Sequence, residues 1–245
     1  MNTGIGDAFL EGTKYKNLGP SDQQQGLMQP ALHAVLREGS RVALPAPETF
    51  DYGNMALRQA IETRRSLRVY ADTPFALDEL SFLLWCSQGV KPESTSSHTL
   101  RTVPSAGARH AFETLVLVNR VQGLNPGLYQ FDALAHGLIQ WESTADVADQ
   151  VTEACLGQSM VSTSAVTFIW IAQRERMAWR YGERAVRYLF LDAGHVCQNL
   201  HLAAESLGAG VCAIGAFDDD QLNELLDLDG VNRFVVYVAV AGKRA

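Results

Sequence analysis

Three arginines fall within five positions of TRRSLRVY, residues 63–70: Arg64, Arg65 and Arg68, with Ser66 among them. Guanidinium groups at that density suit a phosphate or another dense anion, because each planar fork makes parallel charge-assisted hydrogen bonds to it. A helix end explains such residues equally well, since arginines there meet unpaired carbonyls and the negative pole of the dipole. The preceding MALRQAIETRR carries Met55, Leu57, Ala60 and Ile61 at spacings near three and four, which predicts an amphipathic helix ending around Arg64 or Arg65. SLRVY reads as extended chain, where side chains alternate, so Ser66 and Arg68 share a face with Arg64 once that residue is unwound. On this segment alone the anion site and the solvated helix end both stay open.

Other segments offer weaker chemistry. In RTVPSAGARH, Pro104 fixes a turn, and Ser105, Ala106, Gly107 and Ala108 present almost no side chain, so a flat ligand could approach the backbone. An ordinary small-residue turn before a strand is the plainer reading. In ESLGAGVCAIGAF the glycines follow a helix, the wrong order for a dinucleotide fingerprint, although exposed backbone N–H groups remain. Lys243 and Arg244 follow the last strand and either reach an anion or solubilise an end. The sequence holds no GxxxxGK[ST], HExxH or GxSxG, so NTP hydrolysis, zinc proteolysis and α/β-hydrolase chemistry lack support. Cys86, Cys155, Cys197 and Cys212 are far apart and read as buried, reduced thiols. His195, Cys197 and His201 would point to different sides of a helix, and no metal is expected.

These residues must be positioned by a chain of 245 residues, 47% hydrophobic and 19% charged, long enough for a substantial core. A net charge of -7 disfavours nucleic acid and anionic membranes as partners, so any anion site must be local. The opening MNTGIGDAFLEG lacks a basic start and an apolar stretch of signal length, and no run approaches the ~20 apolar residues of a membrane span. A cytoplasmic protein is expected.

Residues 1–50 read as an irregular segment wrapping the surface, and 51–245 as one domain. LDELSFLLWCSQG predicts a helix stopping at Gly89, and KPESTSSHTL a polar loop. FETLVLV, GLYQF and GLIQ read as strands, the last two as a hairpin, and residues 145–157 as a helix. AVTFIWIA, 165–172, is a strand buried on both faces. The longest helix runs from about Glu183 to Leu207, apolar almost all round and so placed at the centre of the core. GVCAIGA, DDDQLNELLDL and FVVYVAVAGKRA complete the pattern as strand or turn, helix and buried strand. The fold class is α+β, a mixed, mainly antiparallel sheet flanked by helices.

In order and spacing, RRSLRVY, the PSAG of RTVPSAGARH, DAGHVCQNLHLAAESLGAGVCAIGAF and the basic end GKRA resemble the nitroreductase superfamily of FMN-dependent oxidoreductases. YKNLGPSDQQQG, PSAGARH and DAGHVCQNL are similar to its SagB-type branch, which includes azoline dehydrogenases of thiazole and oxazole peptide maturation. The resemblance implies a homodimer with FMN at the interface. Arg64, Arg65, Ser66 and Arg68 would then hold the phosphate, ribityl chain and N1/O2 edge. Pro104, Ser105, Ala106 and Gly107 would lie against the ring, from the partner subunit. Ala213, Ile214 and Gly215 would offer backbone near N5, and Lys243 with Arg244 would complete the phosphate grip. Relatives place a Lys-Tyr pair near the flavin where this chain has Arg180 and Tyr181; arginine stays protonated and cannot serve as a base, though it can stabilise an anion. The expected activity is hydride removal from a heterocyclic or peptide-derived substrate. An NAD(P)H-dependent reductase of nitroaromatics or quinones, with NAD(P)H as co-substrate, and a non-catalytic subunit of a peptide-modifying complex are the alternatives.

Overall fold

The computed structural model describes residues 4–95, 98–141 and 144–245. Seven strands form one sheet: β1 (Arg41–Ala43), β2 (Phe112–Val118), β3 (Gly127–Asp132), β4 (Gly137–Gln140), β5 (Val166–Gln173), β6 (Ala209–Ile214) and β7 (Arg233–Lys243). Their order is β1-β4-β3-β2-β5-β7-β6. Each pairing between these strands is antiparallel, while two isolated bridges, Ser66 with Val211 and Phe75 with Val121, are parallel. The expected mixed, mainly antiparallel sheet is therefore present.

The apolar run that predicts a strand covered on both faces becomes β5, hydrogen-bonded to β2 on one side and β7 on the other. Alternation sends Phe168 and Trp170 into one apolar cluster and Ile169 and Ile171 into another. The first cluster is roofed by α3 (Leu77–Gln88) and α7 (Ala185–Ser206), through Leu83, Leu84, Val196 and Leu200. The second is roofed by α4 (Val147–Ala154) and α8 (Asp219–Leu225), through Val151 and Leu222. Asp218 caps α8 by accepting from the Gln221 N–H at 2.9 Å.

Two expectations need correction. Residues 1–50 hold α1 (Ile5–Gly12) and the edge strand β1, whose Arg41 pairs with Ile139. Three residues are too few to show a period of two, and β1 is specified by its neighbour β4 instead. The long helix is not enclosed: Leu189, Val196 and Leu200 are buried, but Phe190 and Leu191 are 56% and 59% exposed, with Gly194, His195 and Gln198 beside them. Hydropathy alone does not distinguish a face covered by the same chain from one left for another. Of the polar loop KPESTSSHTL, Ser96 and Ser97 lie outside the described residues.

Candidate functional site

The arginine segment leaves α2 (Leu57–Thr63) at once: Arg64 has ψ 125 and is already extended. Leu67 then donates its N–H to the Val211 carbonyl at 2.9 Å, and its side chain occupies the space above Gly210. A Cβ at Gly210 would lie 2.6 Å from Leu67 Cδ2, so glycine is what permits this approach. With Leu67 turned inward, alternation turns Ser66 and Arg68 outward, and both are exposed. Arg64 faces the C-terminal half of α7 beside His201, whose pKa is pushed down to about 4 by burial and then by the Arg64 charge. Arg68 lies near Cys212, where it opposes the upward push of burial on that thiol. Among the described residues, no carboxylate pairs with Arg64, Arg65 or Arg68. Three guanidiniums on one short extended segment without a counter-charge fit an external anion such as a flavin phosphate.

The chain end runs beside this segment. Tyr70 bridges to Arg244, and Ala71 donates to the Lys243 carbonyl at 3.0 Å. The two cations differ from the arginines in having partners of their own: Lys243 with Glu79, and Arg244 with Glu205 and, at 3.2 Å, the Ala209 carbonyl. Their charge already ties the tail to α3 and α7. At the far end of β6, Ala213 is half-buried, Ile214 buried and Gly215 exposed.

A second cluster forms around the small-residue loop. Ser105 Oγ accepts from the His110 N–H at 2.9 Å, and Ala106 donates its N–H to both Asp192 carboxylate oxygens at 3.2 and 3.3 Å. Asp192 is buried on α7; burial raises its pKa, while hydrogen bonds from Ser105 and Ala106 oppose the rise. Gly107 is left-handed, at φ 57°, and a Cβ there would meet Tyr181 Oη at 2.5 Å and Arg180 Cδ and Nε at 2.9 Å. Arg180 and Tyr181 close α6 (Arg174–Tyr181), so the loop and the helix end meet across that glycine. Tyr181 is half-buried with its ring 4.6 Å from that of Tyr188, whereas Arg180 is exposed. Behind them Arg109 is buried, stacked 4.8 Å from Trp179 and bonded through Nε to the Arg176 carbonyl, with Nη2 left without a partner.

Tyr181 and Arg180 also border a cavity of about 710 Å³ whose other wall is residues 15–24. Tyr15 reaches from that wall to Tyr188, hydroxyl to hydroxyl at 2.7 Å, and Arg184 Nε donates to the Tyr188 hydroxyl at 3.1 Å. Sequence reading misses Tyr15, Tyr188, Asp192 and Arg109. Their only advance signal is their place inside segments singled out for other residues.

Within one protomer the residues fall into two groups along α7. The small-residue loop is fastened at Asp192 and the arginine segment lies by His201, nine positions on, or roughly 13 Å along a helix rising ~1.5 Å per residue. The exposed Phe190–Leu191 face lies at the loop end of this stretch.

The chain is 34% identical over 178 residues to a nitroreductase-family protein of Methanocaldococcus jannaschii, covering 73% of this chain and 87% of that one. It is 31% identical over 153 residues to the trifolitoxin-processing protein TfxB of Rhizobium leguminosarum bv. trifolii, covering 59% of this chain but 41% of that longer protein. Among solved structures, a nitroreductase-type protein of Ralstonia eutropha superposes with TM-score 0.69 at 24% identity, over 89% of this chain and 95% of that one. The Escherichia coli microcin synthetase McbBCD complex with truncated pro-MccB17 gives 0.61 at 17%, over 83% and 78%. A nitroreductase-type protein of Desulfovibrio desulfuricans in complex with FMN gives 0.55 at 20%, over 79% and 88%. These three likenesses show the fold. The nitroreductase family's own sequence profile matches residues 61–243, from the end of α2 through β7, and with that span covered the chain belongs to the nitroreductase family.

Proposed function

We propose that this oxidoreductase binds FMN and removes a hydride and a proton from a heterocyclic, peptide-derived substrate, as a SagB-type dehydrogenase. The observation that carries the reading is the meeting of Gly107, Arg180 and Tyr181, which sets a phenol and a permanent cation beside a loop bare enough for a flat ring. TfxB, named for toxin processing, and the microcin synthetase complex with its propeptide support the substrate class.

FMN, when bound, supplies a two-electron acceptor. Arg64, Arg65, Ser66 and Arg68 would hold its phosphate and the electron-rich edge of its ring, where a cation favours the reduced anion. Lys243 and Arg244, being paired internally with Glu79 and Glu205, would hold the shape of that cradle. Ala213, Ile214 and Gly215 would border the ring with backbone. Tyr181 would take the proton that leaves the substrate as its phenolate, becoming the neutral phenol, and Arg180, which cannot accept a proton, would stabilise the phenolate's negative charge beforehand. A second copy seated on the Phe190–Leu191 face would carry the loop of one protomer, with Ser105 and Ala106, toward the arginines of the other, making one site from two incomplete clusters.

The visible spectrum of the purified protein, followed by heat release and identification of the chromophore, tests the cofactor. About one FMN per chain is expected, as one site per subunit implies; a colourless protein that takes up no added FMN overturns the reading. Arg68→Ala should weaken FMN binding by about 10- to 100-fold, the loss of one hydrogen bond to a charged group. Unchanged flavin content would remove Arg68 from the site. Turnover of a thiazoline to a thiazole then favours the dehydrogenase. Rapid bleaching by NADPH without thiazoline turnover would favour a nitroaromatic or quinone reductase. Flavin that neither reduces would indicate a non-catalytic subunit.

A further inference from the structure

The cavity beside Tyr181 is roofed by a segment that lies outside the family match, which begins at residue 61. That roof is fastened to α6 and α7 at several points. Arg184 Nη1 donates to the Thr13 carbonyl at 2.7 Å and Arg187 Nη2 to the Leu10 carbonyl at 2.7 Å. Gln23 donates its N–H to the Trp179 carbonyl at 2.8 Å, and the Trp179 indole donates to the Leu27 carbonyl at 2.9 Å. A segment held this firmly shapes what lies beneath it. In a chain with 27 acidic residues, no carboxylate among the described residues lines the cavity: Asp22 is not among its walls, whereas Ser21, Gln23 and Gln24 are. Among the described residues, the only charged one lining it is Arg180, which is exposed and pairs with no described carboxylate. Tyr15 and Tyr181 add two aromatic walls. The volume lies within the range of small-molecule sites.

We propose that residues 15–24 form the specificity wall of the substrate pocket, and that the preferred ligand is an amide-bearing aromatic or azoline molecule with a carboxylate that pairs with Arg180. Aromatic and amide walls without an acid accept such a ligand and leave a cationic one uncompensated. The carboxylate finds a planar fork, and Gln23, which also lines the cavity, carries an amide able to meet a peptide group. This rests on the reading of Tyr181 as the reacting end of the same cavity.

The test uses 2-phenylthiazole-4-carboxylate and its carboxamide, which carry the oxidised ring and cannot turn over, titrated calorimetrically into the full-length, flavin-loaded protein. The carboxylate is expected to bind about tenfold or more tighter than the carboxamide, the size of one charge-assisted hydrogen bond. Arg180→Gln should abolish that preference. Gln23→Glu, at a surface position in the roof, should reverse it by setting a like charge against the ligand. Equal affinities in the unaltered protein, or a preference that survives both substitutions, overturns the proposal. Because the probes are never oxidised, failure of thiazoline turnover would count against the dehydrogenase reading while leaving this result intact.

Discussion

At the scale of single residues, the contact across Gly107 makes the most exacting claim. An added methyl group would meet the Tyr181 hydroxyl at 2.5 Å and would also have to adopt φ 57°, which L side chains rarely adopt. Gly107→Ala should therefore displace Tyr181 and lower kcat by about 10²-fold, much of the effect of losing general acid-base assistance. Tyr181→Phe should cost about 10²- to 10³-fold with flavin content retained. Stopped-flow flavin reduction measured beside the absorption spectrum checks both, and full turnover in either variant would remove Tyr181 from the proton-transfer role. Part of this candidate site is open in the sequence: the three arginines and the small-residue loop stand out by composition. The sequence does not carry the pairing of Gly107 with Arg180 and Tyr181, because more than seventy positions separate them and no local period records a tertiary contact. Asp192 was hidden for a related reason, since an acid in an apolar helix reads as exposed until the Ala106 N–H that satisfies it is seen.

At the scale of elements, strands with a strong pattern were legible and short ones were not. The eight-residue run 165–172, apolar but for Thr167, predicts β5 to within one residue, because a strand covered on both faces writes its burial into nearly every position. β1 has no such record, and its pairing with β4 supplies what its sequence lacks. The central helix α7 adds a pH dependence. His201 is buried there with its pKa pushed down to about 4, so between pH 4 and 6.5 the unfolded chain binds a proton that the folded chain refuses. Stability should thus rise with pH through that window and fall on acidification, levelling off below about pH 4, by a few kcal/mol in all. His110, pushed down by burial to about 3, acts in the same direction and extends the loss to lower pH. Urea denaturation of the unaltered protein and of His201→Gln at a series of pH values checks this. The variant should show a shallower slope, and an identical slope would show that His201 does not contribute.

At the scale of the whole molecule, the question is what covers α7. Phe190 and Leu191, large apolar residues in the second turn of the longest helix, are too exposed to be explained by the chain's own packing. If a second copy covers them, Leu191→Glu should convert dimer to monomer and lower flavin content in the same preparations, because each proposed site would draw on both protomers. Sedimentation or light scattering with flavin quantitation reads both effects. A monomeric variant that keeps its full complement of flavin would show that one protomer suffices.

The arginine segment also has a mechanical place in the molecule. Ser66 and Leu67 lie along the outer edge of β6, the last strand of the sheet, and the Leu67 N–H occupies the Val211 carbonyl that a strand from another molecule would otherwise seek. A seal made of two residues is held only as well as the loop that carries it. An anion gathered by Arg64, Arg65 and Arg68 would also hold that loop down, and the ligand would then guard the edge of the sheet. Stripping it would leave a chain that folds yet exposes an adhesive border, and the bare protein should cloud on storage sooner than the loaded one.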